Sequence, residues 1–334
     1  MTKKILSYST LCILVSSAGL NAATIGWNST GTDGDFNTGS SWNGGVAPTA
    51  TDFARINGAT NATLSEAVNV NKFANGGTST LTVDSGGVLT VAAEILVGEP
   101  GDAAAGEKTG TVQLNVGGQI VANTFVQVGG WSALGQESFL NIAGGTLTIG
   151  TELRVGSGSA GVLNLSGGTL DLTAGSWQNL RVGSGVGNGT VNMTGGTLTT
   201  YGMNMNNDGV GNANFNLDGG TLTVNGGFTS VIKLVGNSVI AIGDGLFQWQ
   251  GNRNTDIDAL ISSGNITFAT SSVSTITASA EQSWTDGTTT LYADNGDIKS
   301  GYTTLWATSA VPEPSAYALL LGSFLSAWVM LRRR

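Results

Sequence analysis

The sequence predicts an all-β chain: a right-handed parallel β-helix (β-solenoid) with irregular caps, followed by a short C-terminal transmembrane helix. Three observations carry this reading. Glycine is abundant, at 52 of 334 residues, while charged residues make up only 10%, against roughly 25% in ordinary globular chains. A Gly-Gly pair flanked by short runs of alternating polarity recurs six times between residues 79 and 230. The second glycines are 31, 27, 23, 28 and 24 residues apart, which fits one coil of three short strands, whereas a propeller blade needs about 40 residues or more. Without Lys/Glu/Ala-rich stretches the chain is no coiled coil or helix bundle, and without a Gly-X-Y period it is not collagen.

Residues 1–23 read as a secretory signal peptide. Lys3 and Lys4 precede an apolar stretch from Ile5 to Leu20, and Asn21-Ala22-Ala23 supplies a small-residue exit. The only cysteine, Cys12, falls inside this segment, so the mature chain is expected to have no thiol chemistry and no disulfide. Leu11 before Cys12 is too large for a lipoprotein processing site.

Residues 24–78 form an N-terminal cap with the first irregular coils, including the short strand Phe53–Ile56. Residues 79–230 hold the repeats proper. Leu140-Asn-Ile-Ala-Gly-Gly145-Thr-Leu-Thr-Ile149 and Phe215-Asn-Leu-Asp-Gly-Gly220-Thr-Leu-Thr-Val224 are typical copies, and a shorter strand such as Leu153–Val155 or Leu180–Val182 follows most of them. Polar and apolar residues alternate within each strand, so one face is buried. Leu147 and Ile149 should therefore point inward while Thr146 and Thr148 point outward. A strand of four or five residues cannot bury its apolar face alone, and stacking rung upon rung makes one continuous core. The Gly-Gly pair marks a tight corner where backbone approaches backbone. Residues 231–310 lack the signature but keep short strands, and read as closing irregular coils.

Trp27, Trp42-Asn43, Pro48 and Asp52, together with the Gly-Gly-Thr-Leu copies, resemble the autotransporter-associated β-strand repeat class of bacterial surface proteins. The resemblance covers about residues 24–230. Residues 311–334 form a further signal. Val311-Pro312-Glu313-Pro314 precedes the apolar run Ala316–Leu331, and Arg332, Arg333 and Arg334 close the chain. A helix of that length spans about 24 Å, short of a 30 Å hydrocarbon core but sufficient with arginine snorkelling, and the arginines should remain cytoplasmic. Taken on its residues alone, this is a tail anchor. The order Pro-Glu-Pro, apolar helix, basic cluster resembles the PEP-CTERM sorting signal, and the same tail resembles the segment named for the C-terminus of ice-binding proteins. The PEP-CTERM resemblance implies an exosortase-type processing enzyme in the inner membrane as partner. It also implies transient anchoring, followed by release or attachment at the cell surface.

Function classes narrow by what is missing. With no histidine, His-based acid/base chemistry, His metal sites and the Ser-His-Asp triad are excluded. Removing both end segments leaves 8 basic and 21 acidic residues, a net charge near −13, which disfavours nucleic acid as a partner. No cofactor and no catalytic or metal residues are expected, and the reading is a non-enzymatic structural or adhesive component of the cell surface or its polysaccharide matrix. A polysaccharide lyase or hydrolase on the same fold is the enzyme alternative. Asp256 with Asp258, or Asp294 with Asp297, are its candidate carboxylates.

Four further constellations have both a structural and a ligand reading. Asn115, Asn141, Asn164, Asn192 and Asn216 recur in the first strand of successive copies, as an amide ladder between rungs or a glycan-binding stripe. Arg154 and Arg181 occupy equivalent outward positions, as solvated cations or a carboxylate or sulfate site. Asn204, Asn206, Asp208 and Gly209 imitate the opening of a calcium loop, but Phe215 stands where the closing acid belongs. Trp131, Trp177, Trp249 and Trp284 are packing residues or sugar platforms. The candidate ligand face is formed by the Thr-x-Thr pairs Thr146/Thr148, Thr197/Thr199 and Thr221/Thr223. Repeated between rungs, their hydroxyls and methyls form a lattice resembling the ice-binding face of insect antifreeze solenoids.

Overall fold

The computed structural model describes residues 23–28, 33–98, 109–130, 136–174, 179–206, 209–269 and 280–309. Residues 1–22 of the predicted signal peptide, the C-terminal tail with its sorting motif Val311 to Pro314, apolar run Ala316–Leu331 and Arg332 to Arg334, and Trp131, Trp177 and Asp208 lie outside the described residues. Among the described residues no helix is long and apolar enough to cross a membrane.

The fold is an all-β parallel solenoid whose strands stack in three columns. The first column is a 9-stranded parallel sheet running from Thr24–Gly26 through strands such as Phe53–Ile56, Phe125–Val128, Glu152–Val155 and Leu180–Val182 to Ile232–Leu234. The second begins at Gly34–Asp35, passes through Ser79–Val83, Gly110–Leu114, Glu137–Ile142 and Ala160–Leu165, and ends at Ile266–Phe268. The third starts at Ala67–Val70 and includes Val88–Val91, Gln119–Ala122, Thr146–Ile149 and Thr169–Leu172. Gly189–Thr200 and Ala213–Val224 each run through the second and third columns without a break. The ladders thus continue on both sides of the Gly-Gly copies. Each strand bonds its backbone to the rungs above and below, so a short segment satisfies polar groups that it could not satisfy alone.

Alternation sets the faces. Leu147 and Ile149 are buried while Thr146 and Thr148 are partly exposed, and Leu170 and Leu198 continue the Leu147 column in register. These columns merge into one core along the stack. Parallel rungs about 4.8 Å apart place like above like, so the repeat itself guarantees that aliphatic side chains meet.

The corner between second and third columns explains the glycines. In the last four copies three residues turn the corner, and the second glycine takes the left-handed conformation: Gly145, Gly168, Gly196 and Gly220 have φ of 70°, 75°, 72° and 71°. A Cβ on Gly168 would lie 2.5 Å from the Gly145 carbonyl oxygen. The first two copies use four residues, and there the first glycine, Gly86 or Gly117, has the positive φ. The difference moves Asn115 off the ladder: Asn141 pairs with Gln113, not with Asn115.

Both ends carry non-repetitive packing. At the N-terminal end Trp27, Phe36 and Trp42 are buried, with Trp42 edge-on to both partners at centroid distances of 4.9 and 4.8 Å. Trp42 Nε1 donates to the Phe36 carbonyl at 2.7 Å. At the other end helix α1 (Asn254–Ser262) buries Ile257, and three antiparallel strands, Tyr302–Ser309, Thr289–Asn295 and Gln282–Thr285, extend the third column beyond Leu246–Gln250.

Candidate functional site

The outward positions of the three columns form three chemically distinct faces. On the second column Asn164 donates to Asn141 Oδ1 at 2.8 Å, Asn192 to Asn164 at 2.9 Å and Asn216 to Asn192 at 2.8 Å. Asn164 and Asn192 each donate to the preceding rung and accept from the following one, which rigidifies the stack. Asn115 instead sits in the corner and donates to Asp84 Oδ1 at 2.6 Å. The ladder therefore has four asparagines, and its amides are engaged with one another.

On the third column Thr146, Thr169, Thr197 and Thr221 stand in register on four successive rungs. Thr197 Oγ1 donates to Thr169 Oγ1 at 3.3 Å. Thr169 completes a row that the Thr-x-Thr pattern overlooks, because Asp171 replaces its second threonine. The inner row is Thr148, Asp171, Thr199 and Thr223. Thr223 is only 6% exposed and donates to Gln248 Oε1 at 3.1 Å, so it belongs to packing rather than to an open face.

The first column carries the charge. Arg154 and Arg181 are paired in register, as their spacing implies, but they are not simply solvated. Glu152 lies between them, with Oε2 2.9 Å from an Arg154 terminal nitrogen and Oε1 in contact with Arg181 Nε. Arg154 also lies over the Phe125 ring at 4.9 Å. Two rungs nearer the N-terminus than Phe125, Lys72 pairs with Glu94 at 2.6 Å.

Several other candidates have partners within the fold. Asp256 pairs with Arg253 at 3.3 Å, Asp258 accepts from Trp284 Nε1 at 3.0 Å, and the buried Asp294 accepts from the backbone of Ile298 at 2.9 Å. Trp249 is buried and donates to the Gly226 carbonyl at 3.2 Å, beneath Arg253 at 5.2 Å. Asn204 and Asn206 are both buried, and Asn206 takes a left-handed corner with φ 56°. Among the described residues no group of three or more His, Cys, Asp or Glu side chains is placed to hold a metal ion. A shallow cleft of about 270 Å³ lies at the C-terminal end, lined by Gly251, Asn252, Asn295, Gly296, Gly301 and Tyr302. Lys299 lies 3.9 Å above the Tyr302 ring, and burial lowers its pKa.

At the opposite end Asp52 accepts from Thr49 Oγ1 at 2.6 Å and from Thr49 N at 2.8 Å. The Thr49 hydroxyl, together with the backbone donors, holds its pKa below the ordinary carboxylate value against an opposing effect of burial. Comparison with family models, curated proteins and solved structures finds no match for this chain.

Proposed function

We propose that the protein is an exported, non-enzymatic right-handed β-solenoid. It would act as a structural or adhesive element of the cell surface or its polysaccharide matrix, sorted through its PEP-CTERM-like tail. The observation that carries the reading is the surface itself. Rows such as Asn141 to Asn216 and Thr146 to Thr221 repeat the same chemistry on successive rungs. An extended repetitive face suits a scaffold or an adhesin, since it offers many equivalent contacts to a polymer and multiplies weak ones. The acidic balance and the signal-like N-terminus support export. Cell fractionation with intact-mass measurement tests it: the expected product is at the surface or shed, lacking residues 1–22 or 1–23 and the chain from near Pro312 onward. Full-length protein confined to the cytoplasm overturns it.

A second reading, ice binding, rests on the four-rung threonine row. Its test is thermal hysteresis and ice recrystallisation inhibition by the protein, with Thr169→Lys plus Thr197→Lys, two neighbours in that row, as the control. No activity in the parent overturns it.

A further inference from the structure

Basic side chains are not spread evenly around the solenoid. Of the eight Lys and Arg residues between the two end segments, five stand at outward positions of the first column: Arg55, Lys72, Arg154, Arg181 and Lys233. Arg253 and Lys299 lie in the C-terminal end, and Lys108 lies outside the described residues. Among the described residues, the outward positions of the other two columns hold neither Lys nor Arg. Among the described residues, only Glu94 and Glu152 bring negative charge to the outward positions of the first column. The corner on the far side of the coil, between second and third columns, carries Glu66, Asp84, Asp218 and Asp244. A chain with a large net negative charge thus concentrates its cations on one strip.

Glu152 shows what that strip accepts. One carboxylate is shared by two guanidiniums on adjacent rungs, about 4.8 Å apart along the stack. Phe125 on the preceding rung lies against Arg154, and Phe53 on the same strand lies against Arg55 at 4.8 Å, which preorganises the planar groups. Lys233 continues the Arg154 and Arg181 row two rungs beyond Arg181. Charges at intervals of one and two rungs suit a polymer of sparse charge, one group every 5–10 Å or so. Duplex DNA, with a charge every 1.7 Å or so, would meet the acidic remainder of the surface.

We propose that the first-column face binds a linear anionic glycan, whose carboxylate or sulfate groups replace Glu152 between Arg154 and Arg181. The choice of a glycan rests on the surface-matrix reading above; the anion site itself rests on the geometry. Glu152 is then a built-in competitor that sets the affinity.

The full-length chain in mild detergent would be titrated with polygalacturonate, a sparsely sulfated dextran of matching charge density, neutral dextran and duplex DNA at two salt concentrations. The expected result is salt-sensitive binding of one or both anionic glycans and none of neutral dextran. Preference between the two tells carboxylate from sulfate. Arg154→Gln with Arg181→Gln should weaken binding at least about tenfold, and Glu152→Gln should tighten it several-fold. If the double variant does not fold, Glu152→Gln decides alone: tightening supports the site, and no change or weakening overturns it. Absence of binding to both anionic glycans, equal binding of neutral dextran, or tighter binding of DNA also overturns it. None of these failures touches the export reading, which fractionation tests separately.

Discussion

Placing one aspartate on either side of a single strand gives the sharpest test of the fold. Leu147 is 1% exposed, so Leu147→Asp must put a carboxyl group into the aliphatic core. Keeping an acid with an ordinary pKa of about 3.9 protonated at pH 7 costs about 4 kcal/mol. The lost leucine packing adds roughly 2–5 kcal/mol. The sum, about 6–9 kcal/mol, rivals the whole stability of a typical domain. Thr148→Asp, one residue on, stays at the surface. Its register partner is Asp171, so it adds a like charge about one rung away, worth about 1 kcal/mol in water and less in salt. Thermal melts followed by circular dichroism at pH 7 and pH 4, each relative to the parent protein, check both. Leu147→Asp should be unfolded or strongly destabilised at pH 7 and regain about 4 kcal/mol at pH 4, while Thr148→Asp should be mildly affected and relieved by salt. Equal melting temperatures at pH 7, or a Leu147→Asp penalty indifferent to pH, would refute the assignment of inward and outward faces.

Asn164→Ala, in the middle of the amide ladder, should cost about 1–3 kcal/mol in denaturant titration, because it strands the amide of Asn192 and the acceptor of Asn141. Gly168→Ala places a methyl 2.5 Å from the Gly145 carbonyl oxygen, whereas Gly264→Ala, at a similar φ of 77°, meets nothing within 4 Å. The first should therefore lower the melting temperature clearly more than the second, which feels only the left-handed backbone cost of about 1–2 kcal/mol. Asp52 has its pKa lowered in the folded state, so its stabilising effect is present above the ordinary carboxylate pKa and is lost as pH falls through the lowered one. Tryptophan fluorescence, with Trp27 and Trp42 buried at that end, should accordingly report loosening of the N-terminal end as the parent is taken into acid, whereas Asp52→Asn, with no carboxyl there to protonate, should already be loosened at pH 7 and lack that step.

The columns were legible in the sequence because their physics is local. A period of two identifies the buried side of each strand without knowledge of its neighbours, and Leu147, Leu170 and Leu198 are found where alternation puts them. The corner was less legible. Asn115 looks like its successors, but a corner one residue longer shifts the register, and only the pairing of Gln113 with Asn141 reveals it. Thr169 was overlooked for a related reason, since its row exists between rungs and not along the chain. The role of Glu152 depends on Arg181, a partner on the next rung that is 29 positions away. Charge pairs of this kind are invisible until the register is known.

The two non-repetitive ends have a mechanical consequence. A stack whose two ends repeated the same rung would grow by adding further molecules, so its length would follow concentration. Here Trp42 and its neighbours end the series on one side, and helix α1 with the antiparallel strands ends it on the other. The molecule is a ruler. Its span is written in the number of coils, roughly 4.8 Å for each, or about 40 Å for the 9-stranded column. Duplicating one coil, such as residues 201–224, should lengthen it by a single graduation while leaving both terminations unchanged, so the distance it spans can evolve without any change in how it folds.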